Sequence, residues 1–254
     1  LDDWTAWDAF ASADPSCEDG WGAIDWTDKA EHLRRQREAG ALCRGSLRHG
    51  HTFLTLTYIR GYENLIFDMA DGEPRLPDLI RMVEAFNAEL VRRFLACGVD
   101  VMGYPEDLGM QKGPMLSPEH FRTFIQPTYQ RLMAPARERG AVVHMHSDGD
   151  IMDLADDLLA CGVEVLNIQD RVNGLDAMAE HLKGRVCIDL DIDRQHVTRF
   201  GSPSDIHDWI RQAVDRLATP AGGLCLSHGL YPGIPLENVA ALMDAMERYA
   251  GYLS

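Results

Sequence analysis

The feature that most constrains this chain is a joint it uses twice. Residues 94–102 and 158–166 match class for class, each carrying Ala-Cys-Gly-Val at its centre (residues 96–99 and 160–163). Each runs from the apolar end of a helix through a glycine into a short apolar strand. Two looser versions follow, Lys183-Gly184-Arg185 leading into residues 186–191 and Ala221-Gly222-Gly223 leading into 224–228. With the less regular units included, helix, glycine and strand alternate about six times, the pattern of α/β folds. Strands that return through a helix pair in parallel, so the helices lie outside the sheet.

Polar residues collect where these strands end: His49 and His51, Tyr104 and Asp107, His146 and Asp148, Gln169, Asp191 and Asp193, and His228. Clustering at the carboxyl ends of strands marks the active face of a (β/α)8 TIM barrel. A doubly wound sheet would gather its ligands at one switch point, and no GxGxxG is present to mark one. The expectation is therefore an α/β (β/α)8 TIM barrel, incomplete or atypical at its N-terminus because about six of eight units are legible. Residues 1–254 are expected to form one domain, with residues 1–40 an irregular tryptophan-rich arm and a first helix capped by Asp28. Further expectations are a strand region over 41–57 and a long helix opened by Pro77 and closed before Gly98. Another helix should run from Ser117 to about Arg139 with a break near Pro127.

Charge and composition exclude several function classes. Forty acidic against 24 basic residues give a net charge of −16, which repels a phosphate backbone, so nucleic acid is not an expected partner. No apolar run approaches the ~20 residues that span a bilayer, and no membrane association is expected. The six cysteines form no CxxC pair and read as reduced, buried small hydrophobes of a cytoplasmic protein.

The chemistry concentrates in residues 141–151, where an apolar run delivers His144, His146, Asp148 and Asp150 around Gly149. Alternation along a strand turns His144, His146 and Asp148 to one side, where they can converge on a metal ion or a proton-transfer site. Hydrogen-bonded structural histidines are the competing reading. Glu106 and Asp107, together with His146, Asp148 and His228, are the candidate catalytic groups. Tyr104, Gln111, His144, Gln169, Asp191, Asp193 and Arg60 are candidate contacts to a small-molecule substrate.

Taken in order, several stretches resemble the uroporphyrinogen decarboxylase superfamily over roughly residues 40–254. They are Arg60-Gly61-Tyr62-Glu63-Asn64, Glu106-Asp107-Leu108-Gly109-Met110-Gln111, Ser117-Pro118-Glu119, His146-Ser147-Asp148-Gly149-Asp150, Ile192-Asp193-Arg194-Gln195 and His228-Gly229, the last leading to Pro235-Leu236-Glu237-Asn238-Val239. The resemblance implies a TIM barrel and one of two chemistries. The methyltransferase branch holds zinc with a His-x-Cys pair and a distant cysteine, and transfers a methyl group to or from a corrinoid on a partner protein. Here His146-Ser147-Asp148 stands in the pair's place and His228 at the distant position, so His146, Asp148 and His228 are the implied ligands of a divalent metal. That set is harder than thiolate and suits an oxygen-bearing methyl donor such as an aromatic methyl ether. The decarboxylase branch needs no cofactor but grips a carboxylated tetrapyrrole with cations, for which Arg48, Arg60 and Lys112 are the candidates. A third reading is a corrinoid- or partner-binding protein without chemistry.

Overall fold

In the computed structural model, which describes residues 1–251, six strands pair in parallel and in sequence order. They are β1 (Arg44–Ser46), β2 (Val101–Asp107), β3 (Val142–Asp148), β4 (Val165–Gln169), β5 (Cys187–Asp191) and β6 (Leu224–Ser227). The expected parallel α/β sheet is thus present as six successive barrel units. Among the described residues β1 and β6 are its edges, and residues 1–25 form an arm with one 3-10 turn at Trp4–Ala9.

In β3 and β4 every second residue is buried, and the register carries that parity to the neighbouring strands. Val101 pairs with Val142 and Asp107 with Asp148, so β2 and β3 run together for their full lengths. Val143, Met145 and Ser147 are wholly buried against the helices, which leaves His144, His146 and Asp148 facing the concave side. The same parity sends Met102, Tyr104 and Glu106 outward into the helical layer. Tyr104 is fully buried and its hydroxyl donates to the Leu132 carbonyl, so it is a core residue and not the substrate contact expected from sequence.

The long helix Leu76–Ala96 starts with Pro77 in its first turn and buries Leu79, Ile80, Val83, Leu90, Val91 and Phe94 on one face. Gly98, at φ +75, turns the chain into β2. Phe94 in turn packs over Gly45, where a Cβ would sit 2.7 Å from its ring. The first helix begins at Trp26, capped by Asp25, one turn earlier than expected from Asp28. The helix expected to break near Pro127 does so as a π turn at Phe121–Ile125, just before the proline that supplies no N–H.

The strand region expected over 41–57 is a three-residue strand followed by a helix, Phe53–Arg60. The cause lies more than fifty residues away. Glu106 is fully buried, and its carboxylate accepts from the backbone N–H groups of Thr52, Phe53 and Leu54 at 2.9, 2.7 and 3.2 Å. A remote side chain therefore caps this helix, since Thr52 makes no cap of its own. Tyr129 adds a fourth donor at 3.0 Å. Glu106, a candidate catalytic acid in the sequence, is in this way a fastening between β2 and the layer outside it.

Arg60, also expected at the substrate, is another fastening. Its guanidinium pairs with Asp68 in a buried site, donates to the Leu1 and Asp2 carbonyls and lies 5.0 Å from the Trp4 ring. The arm is anchored there by Trp4, whereas Trp21 is 73% exposed. Of the cysteines, Cys43 and Cys161 are the buried small hydrophobes expected; Cys17 and Cys225 are exposed. No helix of the described residues is long and apolar enough to cross a membrane.

Burial pushes the Glu106 carboxyl up to about 7 against its four donors. Between its ordinary value of 4.5 and that pH the folded protein holds a proton that the unfolded chain has released, so stability falls as pH rises through this window. Chemical denaturation of Glu106→Leu is expected to show a loss of about 3 kcal/mol, because three N–H groups and a hydroxyl lose their acceptor. Glu106→Gln, which keeps one acceptor oxygen, should lose less and flatten the pH dependence between about 4.5 and 7. A Leu variant as stable as the parent would refute the capping role.

Candidate functional site

The concave face is lined in layers, each set by strand register. In the deepest polar layer the Arg44 guanidinium lies 3.2 Å from His144 Nδ1, and His144 Nε2 lies 3.1 Å from an Asp189 carboxylate oxygen. Arginine can only donate, so Nδ1 accepts and Nε2 carries the hydrogen that Asp189 receives. Burial pushes Asp189 up, but bonds from His144 and Ser227 outweigh it and hold the carboxyl below its usual range. His144, expected as a substrate contact, is thus engaged on both ring nitrogens below the mouth.

One layer higher, Asn167 donates through Nδ2 to the Asp189 carbonyl and Ser227 Oγ at 2.9 and 3.2 Å, which fixes its amide orientation. Its Oδ1 therefore accepts from His146 Nδ1 at 2.5 Å. The hydrogen of His146 is assigned to Nδ1 by this network, and Nε2 presents a lone pair to the mouth. That atom lies 3.6 Å from both Asp107 and Asp148. His49, on the loop after β1, brings Nε2 to 3.2 Å from Asp107 Oδ1. Among the described residues the group with metal-ligand geometry is His49, Asp107 and His146, whose ligand atoms all lie within 4.8 Å of one another.

Such a cluster fits a divalent ion: two imidazoles and a carboxylate, one imidazole oriented by a hydrogen bond from its other nitrogen. It is not the set implied by the sequence. Asp148 is engaged by Arg194, whose Nη2 lies 2.9 and 3.1 Å from its two oxygens. His228 donates from Nδ1 to the Ile192 carbonyl at 3.1 Å and stands outside the group. Its Nε2 is buried without a partner among the described residues. His49 takes the third place because Gly50, at φ +73, turns the loop after β1 back over the mouth.

Beside this group opens a cavity of about 270 Å³ lined by Gln111, Gln169, Asp191, Asp193 and Arg194. Arg194 reaches across it, meeting Asp148 on one side, Asp191 at 3.0 Å on the other and the Tyr231 ring at 5.0 Å. Burial holds Asp191 above its ordinary range even with Arg194 beside it. Asp193 is largely spent on structure, accepting from the N–H groups of Gln195, His196 and Val197. Gln169 accepts from the Gly149 N–H at 3.0 Å, which positions the loop after β3. That loop is locked to the one after β2, because a Cβ on Gly109 would meet the Gly149 carbonyl carbon at 2.5 Å. Sequence reasoning left His49 open and missed Asn167 and Arg44. Asn167 had a signal, since it occupies the inward parity of β4, directly beside His146 in the register.

A family model described as Uroporphyrinogen decarboxylase (URO-D) matches residues 49–249. Uroporphyrinogen decarboxylase of Xylella fastidiosa is 29% identical over 147 residues, 54% of this chain and 40% of that protein. Methylcobamide:CoM methyltransferase MtaA of Methanosarcina barkeri is 26% identical over 160 residues, 60% of this chain and 42% of its own length. The chain thus spans about two fifths of these curated relatives. A solved structure of a methyltransferase from Methanosarcina mazei superposes with a TM-score of 0.64 at 20% identity, covering 87% of this chain and 64% of that one. That likeness concerns the fold.

The two ligand sets make opposite forecasts for a metal titration. Purified protein is expected to bind one Co²⁺ per chain, with a visible absorption spectrum; Asp107→Asn and His49→Ala should abolish it, and Asn167→Ala should weaken it about 10- to 100-fold. Asp148→Asn and His228→Ala should retain the ion. Loss of Co²⁺ in those two with retention in His49→Ala would restore the set implied by the sequence.

Proposed function

Because the chain belongs to the uroporphyrinogen decarboxylase (URO-D) family, we propose that it carries a corrinoid-linked methyl transfer, taking the methyl group from a small oxygen-bearing donor such as an aromatic methyl ether. The observation that carries this reading is the fixed tautomer of His146, which keeps Nε2 unprotonated and aimed at Asp107. His49, Asp107 and His146 would hold a divalent ion, zinc by analogy with the family's methyltransferases, which would supply Lewis acidity toward the donor's oxygen.

The chain's own residues do the rest. Asn167 holds the His146 ring, and the Asp189 carbonyl holds Asn167. Gln111 and Gln169 line the cavity where the donor lies beside the group. A reduced corrinoid on a partner protein would supply the electron pair that accepts the methyl group, the electrons of the broken oxygen–methyl bond remaining on the donor's oxygen. That oxygen needs a proton, and His228, whose Nε2 has no other partner, holds it there. Asp191 lies within electrostatic reach of His228.

The decarboxylase reading is favoured by the Xylella relative, but the mouth argues against it. A substrate with several carboxylates needs several cations, and here Arg60 is buried on the arm while Arg194 is already shared by Asp148 and Asp191. Asp107, Asp148 and Asp191 crowd the same opening, where a polyacid would meet repulsion.

Anaerobic mixing of the metal-loaded protein with cob(I)alamin and methoxybenzoates is expected to convert the cob(I)alamin spectrum to that of methylcobalamin. His146→Ala should slow the conversion at least about 100-fold, and His228→Gln should shift its pH dependence at a smaller cost. Release of CO₂ from uroporphyrinogen, with no methyl transfer from any methoxylated donor, would overturn the assignment in favour of the decarboxylase.

A further inference from the structure

Among the described residues Cys187 and Cys225 are the one pair of cysteines whose sulfurs come together, at 4.0 Å. Strand parity explains the meeting. Cys187 shares the inward parity of Asp189 and Asp191 on β5, and Cys225 that of Ser227 on β6, so both thiols lie on the concave face. They stand toward its amino-terminal end, away from the mouth. Cys225 is exposed and Cys187 half-buried, so a solute reaches them from that side.

The register decides what such a pair can do. Cys225 stands beside Asp189, which places Cys187 diagonally across from it, two residues earlier on β5. With strands about 4.8 Å apart and a rise of about 3.3 Å per residue, diagonal Cα atoms lie about 8 Å apart, beyond the roughly 7 Å that a disulfide spans without backbone movement. The thiols are therefore held short of a disulfide. A bridging metal ion is better matched, because two sulfur–metal bonds of about 2.3 Å at a tetrahedral angle set the sulfurs about 3.8 Å apart. The observed 4.0 Å is close to that spacing.

Charge favours a cation as well. Asp189, next to Cys225 in the register, keeps its negative charge against burial because His144 and Ser227 donate to it. Burial, with Cys225 and Asp189 adjoining, pushes the Cys187 thiol above its ordinary range. An un-ionised thiol is a poor nucleophile toward oxidants, whereas a soft metal ion displaces its proton on binding.

We propose that Cys187 and Cys225 form a clip for a soft, thiophilic metal ion of the zinc, cadmium or monovalent copper class, which bridges the two sulfurs and fastens the edge strand β6 to β5. Each sulfur releases its proton to solvent as it takes the ion, so two protons leave and no electron is transferred. The clip uses none of the residues of the proposed catalytic mouth and does not depend on the reaction assigned there.

Cadmium is the probe, because a sulfur–cadmium bond gives an ultraviolet charge-transfer band that a site of nitrogen and oxygen does not. Titration of the reduced full chain carrying Asp107→Asn, which silences the mouth, is expected to give that band with a dissociation constant on the order of 1 μM or tighter. Cys187→Ser and Cys225→Ser should each weaken binding at least about 100-fold, while Cys17→Ser, which removes an exposed thiol elsewhere, should bind as the parent does. At a hundredfold excess of cadmium over the dissociation constant the melting temperature should rise by about 5 °C or more, and the rise should vanish in the Cys187 and Cys225 variants, whose ion-free melting stays close to the parent's. Absence of the band, or a band of equal strength and affinity in Cys225→Ser, would overturn the proposal. Quantitative formation of a Cys187–Cys225 disulfide in the ion-free protein, as added glutathione disulfide is reduced to two thiols, would also overturn it, in favour of a redox pair.

Discussion

The full-length, in-register pairing of β2 with β3 is the constraint on which the site depends. Side chains of a strand alternate, so one residue of slip would exchange every inward group for its outward neighbour. With Asp107 set beside Asp148, both carboxylates face the mouth, while Glu106 and Ser147 face out. Ser147 then accepts the Leu108 N–H, and Gly109 lies against Gly149, so the register is locked again beyond the strand ends. A slipped pairing would bury Asp107 in the helical layer and leave the N-terminus of Phe53–Arg60 without its acceptor, two penalties of several kcal/mol each. The same residues that make the site therefore also make its register the stable one.

What was legible in the sequence is what is written in local pattern. The repeated joint around Cys97-Gly98 and Cys161-Gly162 gives the parallel α/β sheet, and the polar strand ends give the active face. The convergence of His146 with Asp107 follows from parity. What was not legible is set by partners far away in the chain. Nothing near residue 53 announces a helix, because the cap is Glu106; nothing near Arg60 announces that it anchors the arm, because the carbonyls it holds belong to Leu1 and Asp2. Two of the expected site residues, Glu106 and Tyr104, failed for one reason. They sit one residue away from the inward parity of β2, and proximity to Asp107 in sequence says nothing about which face a side chain takes.

The choice of ligand set has a comparable origin. Position alone would join His146, Asp148 and His228, since all three end strands of one sheet. Electrostatics divides them. Arg194 arrives from the loop after β5 and takes the Asp148 carboxylate, which thereby balances a guanidinium and has less to offer an ion. His228 turns its Nδ1 hydrogen to the Ile192 carbonyl and keeps company with Asp191. Among the described residues Asp107 pairs with no guanidinium; what approaches it are two imidazoles, His49 and His146, and the Asp148 N–H. The carboxylate without a guanidinium is the one at which a cation gains most, and it is there that the ligand atoms converge.

The thiols are placed so that they cannot change this outcome. Cys187 opens β5 and Cys225 follows the first residue of β6, so their sulfurs, 4.0 Å apart, lie toward the amino-terminal end of the sheet, opposite the mouth. An ion at the mouth would be held by nitrogen and oxygen alone, a set that would leave it harder and more electrophilic than one with thiolates. Such an ion favours an oxygen donor over a thiol, whose sulfur would gain little by binding to it. The departure from the cysteine pattern implied by the resemblance is thus coherent across the chain: no sulfur lies among the ligand atoms at the mouth, where two imidazoles and a carboxylate converge.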